Sequence, residues 1–404
     1  MQIFKRIKKP VCFLLILVNT LSLCSCLGAV SLEKYGYVLT IGLDTGKRYK
    51  YSISFLMENE VEESEQKTAS KINIITAEGD NIYDAIYIAE SGLPYRLNFS
   101  RTNYIVISYE IAANDEIMEL FSTSWAMLKL RTSANMIVAN ATASEFIEGL
   151  NYSSSVNATK LESNLIDFYE NEGLSSMMSI TSFMSAIESS RYDAVLPLGG
   201  TDTSVDSPPE KDSDTTEGSE RKGGMISYTL GAALFSDSVL CGVLSGRENQ
   251  ILLLIQGKLK GSVIQFTRAD GTKYSVRIGN AELPRIKVDL SGDKIRLHYS
   301  LLVSAVLEQD NSSKVVEKMR KEGKLTEDMD MQIREFLHSA CKTVFEQCRD
   351  VGCDAAGVGK SVCKEFKTVK EWEEFDFRSR LSDVECDFDI RIELADIYVS
   401  TYPE

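Results

Sequence analysis

RIKVDL (Arg285–Leu290), SGD (Ser291–Asp293) and KIRLHYSLLVSAVL (Lys294–Leu307) follow one another without a gap. On both sides of Ser291-Gly292-Asp293, apolar residues recur with the period of two that places alternate side chains on one face of a strand. The intervening turn residues tie the two strands into an antiparallel hairpin. Asp270-Gly271 does the same between runs at Val263–Thr267 and Tyr274–Ile278. Further strands are expected at Ile226–Phe235, Ser238–Leu244 and Cys386–Val399. A long helix is expected at Asp328–Arg349, with Met331, Phe336, Leu337, Ala340, Val344 and Phe345 along one stripe.

Upstream, Tyr37–Ile41 and Tyr49–Phe55 read as a hairpin around Gly42–Lys47. Glu58–Lys71 is polar and acidic, a solvated loop. Ile72–Ala77 is a strand, and Ile82, Ala85, Ile86 and Ala89 carry a helical period that stops near Gly92 and Pro94. Tyr104–Ser108 and Ala134–Ala139 read as strands, the span from Asp115 to Leu120 as helix. Another helix begins near Ala143, with Gly149 as a possible stop, and Leu161–Ser190 is rich in helix. Gly199–Gly224 contains almost nothing to bury, which marks a linker or long exposed loop.

This alternation gives an α+β class: two or three mixed domains, with largely antiparallel sheets packed by helices. The expected division is 1–25 as a signal segment, 26–199 as one α+β domain or two subdomains, 200–225 as a flexible acidic linker, and 226–404 as a second α+β domain.

The signal assignment rests on Lys5, Arg6, Lys8 and Lys9, which precede an apolar run from Val11 to Leu23. About thirteen mostly apolar residues are too few to span a bilayer permanently. The run ends in Leu23-Cys24-Ser25-Cys26, the order of a lipobox, with an aliphatic residue three places and a small residue one place before the cysteine that is lipidated. Cys26 is therefore the expected lipidation site and the new amino terminus. An ordinary secretory signal and an uncleaved anchor are the alternatives.

The 404 residues carry a formal charge of −15, with 44% hydrophobic and 25% charged residues. Such acidity excludes nucleic acid as a partner and excludes attachment to anionic lipid by charge alone. A covalent lipid has to hold the body to a membrane, and several acyl chains are needed for a firm anchor. Six cysteines remain after Cys12, Cys24 and Cys26 are set aside: Cys241, Cys341, Cys348, Cys353, Cys363 and Cys386. Three readings stay open for them: free thiols, one or two disulfides, or a zinc site built from His338, Cys341, Cys348 and Cys353.

Motifs for catalysis fail on inspection. Asp44-Thr45-Gly46 spells the aspartic-protease triplet, but no second triplet supplies the partner carboxylate, so a turn is the reading. Gly357-Val358-Gly359-Lys360-Ser361 resembles the end of a P-loop, yet Asp354 stands where glycine is required and its charge would repel a phosphate. His298 and His338 are the only histidines, and neither sits in a nucleophile or ligand pattern. No enzyme, cofactor or metal is indicated.

Several landmarks fall in one order. The lipobox is followed by Leu32–Asp44 (LEKYGYVLTIGLD), by Thr76–Gly79 through Ala85-Ile86, and by Arg96-Leu97 through Tyr104–Ser108. Then come Gly231–Phe235 with Leu240–Gly242, Gly257–Gly261, Asp350–Gly359 and Trp372. This order resembles the Ger(x)C lipoproteins, the C subunits of spore germinant receptors, over most of the mature chain. The resemblance implies a non-enzymatic receptor subunit, anchored through Cys26 on the outer face of the inner spore membrane beside membrane-embedded A and B subunits. It names no nutrient and no ligand-contact residue. A solute-binding lipoprotein of a transporter is the alternative, disfavoured because such proteins repeat parallel βαβ units. A lipid-anchored enzyme ranks third.

Overall fold

The strands divide between two sheets in a computed structural model that describes residues 35–59, 71–124, 128–153, 168–201, 227–310 and 312–398. Cys26 and the whole signal segment, residues 60–70 of the acidic loop, and residues 202–226, which include most of the expected linker, lie outside the described residues.

The first sheet contains β1 (Tyr35–Thr45), β2 (Tyr51–Asn59), β3 (Lys71–Gly79), β4 (Arg96–Asn98), β5 (Tyr104–Ser108), β6 (Asn135–Ala139), β7 (Val195–Thr201), β8 (Ser227–Ser236) and β9 (Val239–Leu244). Their order is β3-β2-β1-β5-β6-β7-β8-β9, with β4 beside the start of β1. The centre is parallel, through β1–β5, β5–β6 and β6–β7, and both flanks are antiparallel. The sheet therefore continues through strands on both sides of residues 202–226.

Helices α1 (Ile82–Ser91), α2 (Tyr109–Ala113), α3 (Ile117–Ser124), α4 (Ala143–Ser153) and α5 (Ile180–Ile187) accompany this sheet. Ile105 and Ile107 of β5 pack into the cluster that holds residues of α1, α2, α3 and α5, whereas Tyr104 and Val106 pack with Phe146, Ile147 and Leu150 of α4. Both faces are covered, which is why β5 reads as an unbroken apolar run instead of an alternation.

In the second sheet, β10 (Ser262–Thr267) pairs with β11 (Lys273–Asn280). β11 and β12 (Arg285–Asp289) lie end to end along one edge of β13 (Ile295–Asp310), and β14 (Val384–Ile397) takes the other edge. The hairpin around Ser291-Gly292-Asp293 has the expected register, Arg285 facing Ser300 and Asp289 facing Arg296. β14 runs parallel to β13, an orientation its own alternation does not reveal.

That orientation requires a long crossover, built from α7 (Ser313–Glu322), α8 (Glu327–Asp350), α9 (Gly359–Val362) and α10 (Val369–Phe375). Glu327, Asp328 and Asp330 sit in the first turn of α8 and Arg349 in the last, the charge order that its dipole favours. The buried stripe is Met329, Ile333, Leu337, Cys341, Val344, Phe345 and Cys348. It is rotated from the expected one: Met331 is exposed, and Phe336 lies at the margin, its ring edge-on to Phe266.

Three local expectations need correction. The β1–β2 turn is shorter than Gly42–Lys47, because Asp44 remains in β1 and accepts the backbone N–H groups of Ala143 (2.6 Å) and Ser144 (2.9 Å). The aspartate thus caps α4 from a neighbouring strand. Gly149 does not stop that helix; it lets α4 approach Ser227, whose Oγ donates to the carbonyl of Phe146 (2.5 Å). Gly199 and Gly200 do not open a linker but lie in β7, and a Cβ at Gly199 would fall 2.5 Å from the Phe146 ring.

Some helices had no counterpart among the expectations, α7, α10 and the one that follows β9 among them. In α6 (Gly246–Ile255) the run Ile251–Ile255 is buried throughout and shows no helical stripe. Ser245 and Glu248 form a reciprocal capping box that starts it. Burial of each such side chain contributes roughly 1.5–3 kcal/mol, well above the differences in helix propensity among them.

Candidate functional site

A cluster of buried, charged side chains forms where the first sheet meets the end of α8. The last turns of α8 close with Gly352 at φ 74°, and the N–H of Cys353 reaches back to the carbonyl of Cys348 (2.9 Å). The chain so turned lays Asp354 against Asp193, which directly precedes Ala194 and β7. Asp193 Oδ2 accepts the Asp354 N–H (2.7 Å), and the Asp193 N–H donates to the Asp354 carbonyl (3.2 Å). Arg378 then spans Asp193 Oδ1 (2.6 Å) and Asp237 Oδ1 (2.5 Å), and also donates to the Ser189 carbonyl (3.2 Å).

Asp354 explains the failed P-loop. Its Oδ1 accepts the N–H of Val358 and its Oδ2 that of Gly359, both at 2.8 Å. The turn of N–H groups, of the kind that cradles an anion, is filled by the chain's own carboxylate. Gly357 holds φ 70°, and a Cβ at Gly359 would lie 2.7 Å from the Arg191 carbonyl oxygen, so both glycines serve this close turn. Burial pushes the Asp354 carboxyl up to about 7, against the opposing pull of the Gly359 and Val358 N–H groups. Burial also raises Asp193, offset in part by the Asp354 N–H and the Arg378 charge.

The Trp372 indole N–H donates to Ser190 Oγ (2.8 Å), and its ring stacks on Phe375 and Phe377. The cleft beside these groups holds about 170 Å³, lined by Asp193, Asp237, Asp354 and Arg378 among others. That is below the roughly 300–1,000 Å³ of sites that enclose a drug-sized ligand. Its chemistry is that of a joint: buried charge, matched and directional, between two halves of the chain.

Residues 28–200 match a family described as the spore germination protein N-terminal domain. Residues 230–397 match the spore germination B3/GerAC-like C-terminal family. The chain belongs to the GerAC-like spore germination proteins. No curated protein matches it by sequence. A solved structure described as the crystal structure of the GerBC protein has the same fold, with a TM-score of 0.52 and 13% identity, covering 88% of this chain and 96% of that one.

In this GerAC-like protein the late landmarks converge on the joint. Asp354, Gly357 and Gly359 build its turn, and Trp372 packs beside it. Cys26 lies outside the described residues. The proposed zinc set is not assembled: His338 is half-exposed on α8 while Cys341, Cys348 and Cys353 are buried, and among the described residues no group of three or more His, Cys, Asp or Glu is placed to hold a metal. Cys241, Cys341, Cys348, Cys353, Cys363 and Cys386 are free thiols. His298 and His338 both face Asp387 at the surface, at 3.8 and 3.7 Å. Asp193, Asp237 and Arg378 were not singled out from sequence; each is an isolated charge there, and only the fold brings them together. Among the described residues no helix is long and apolar enough to cross a membrane.

Proposed function

We propose that this protein is the lipid-anchored C subunit of a nutrient germinant receptor, held through Cys26 on the outer face of the inner spore membrane and acting with membrane-embedded A and B subunits. The observation that carries the reading is the match of both halves of the chain to spore germination families, at residues 28–200 and 230–397. The charge of −15 supports a covalent anchor over adsorption to anionic lipid. Two or more acyl chains on one cysteine confine the body to a plane beside its partners and raise their effective concentration without a new contact. The subunit acts as an assembly component, with no catalytic step.

Deleting the gene should abolish the germination response to one class of nutrient and leave vegetative growth intact. Germination is followed by the fall in optical density of a spore suspension after nutrient addition. An unchanged response in a strain without a second copy contradicts the assignment.

A further inference from the structure

Two thiols meet at the same joint, one from each side. Cys241 lies in β9 and Cys353 in the turn that follows α8, and the two thiols are close enough to perturb one another's ionisation. Their sulfurs also reach consecutive carbonyls of β8: Cys241 Sγ donates to Leu234 (3.4 Å) and Cys353 Sγ to Phe235 (3.3 Å). The β8–β9 register shifts between Leu234 and Phe235, and this bulge lets neighbouring carbonyls serve two side chains in one place. Contacts on either side fix the approach. A Cβ on Gly242 would lie 3.4 Å from a Val351 methyl, and Asp354 is bonded to Asp193. Residues 351, 353 and 354 therefore step inward from β9 at the edge of the first sheet, through β8, to the start of β7.

We propose that Cys241 and Cys353 form a thiol–disulfide site, which staples the first sheet to the end of α8 when the protein meets a low-molecular-weight disulfide. The two thiols are unequal in a way that suits the reaction. Cys241 is partly exposed and Cys353 is buried. The neighbouring Cys353 thiol lowers the Cys241 thiol below its ordinary value, whereas the Cys241 contact and burial raise Cys353. Cys241 thiolate attacks one sulfur of the external disulfide, forms a mixed disulfide and releases one thiolate. Cys353 then gives its proton to water and attacks the Cys241 sulfur, expelling the second thiolate. Both protein thiols are oxidised, and the external disulfide is reduced to two thiols. A link between positions so distant in sequence restricts the unfolded chain and ties the two sheets together.

The test uses the full chain in detergent, incubated with oxidised glutathione below its unfolding temperature and digested without reduction. Mass spectrometry should find the Cys241 peptide joined to the Cys353 peptide, and the midpoint of thermal unfolding should rise by several degrees and fall back on reduction. In Cys353→Ala, Cys241 should stop at the glutathione adduct; in Cys241→Ser, Cys353 should remain a thiol. Wild-type protein in which Cys241 carries only glutathione, in which both thiols stay unmodified, or in which Cys353 reacts equally well without Cys241, overturns the proposal. The wild-type map decides the matter even if a variant fails to fold.

Discussion

Replacing Arg378 by alanine should cost roughly 2–4 kcal/mol of stability, a large share of the ~5–15 kcal/mol that holds a domain together. The guanidinium is the shared cation of Asp193, whose side chain is only 4% exposed, and Asp237, which is 66% exposed. The Asp237 contact is screened by water and contributes little. Asp193 has no such relief: without Arg378 its carboxylate keeps the backbone N–H groups of Asp354 and Asp237 against desolvation, and no cation. Much of the loss therefore comes from stranding a buried charge and not from the pair's own attraction. Arg378→Lys should recover only part of the loss, because an ammonium cannot hold three separate acceptors in the planar spread that the fork provides. Urea unfolding of wild type and both variants measures this. Arg378→Ala as stable as wild type would show that the joint does not depend on the ion pair.

Stability should also fall as pH rises from about 4 to 7 through Asp354. The carboxyl has its ordinary value of 3.8 when unfolded and stands at about 7 when folded, because burial penalises the anion. Between these values the folded chain holds a proton that the unfolded chain has released. The contribution is thus complete below pH 4 and lost as pH passes 7, with a total of the order of 4 kcal/mol. Asp193, also raised by burial, acts in the same direction. Unfolding midpoints at pH 5 and pH 8 should differ in that sense, and Asp354→Asn, which cannot ionise, should flatten the difference. A wild-type profile that rises across this range would mean that the N–H groups of Val358 and Gly359 outweigh desolvation.

How much of this was legible depended on whether a residue's job was local. The Ser291-Gly292-Asp293 hairpin, β5 and the bounds of α8 could be read because turn chemistry, apolar runs and helical period are short-range signals. β7 could not, since Pro197, Gly199 and Gly200 look like breakers until Phe146 is seen to need the space at Gly199. In α6 the run Ile251–Ile255 has no polar face, because it is enclosed on all sides; the pair Ser245 and Glu248 was the available signal. Asp44 looks like a turn residue in sequence, and its work as a helix cap depends on a partner 99 positions away. The joint shows the same limit. Asp354 and its glycines carried a recognisable pattern, but the roles of Asp193 and Arg378 follow only from the fold.

The proposed anchor is a lipid joined to the sulfur of Cys26. Mass spectrometry of the amino-terminal peptide of the mature protein, extracted from membranes with detergent, tests this most directly. The expected result is a chain that begins at Cys26 and bears a diacylglyceryl thioether; a chain that retains residues 1–25, or begins with an unmodified residue, would contradict it.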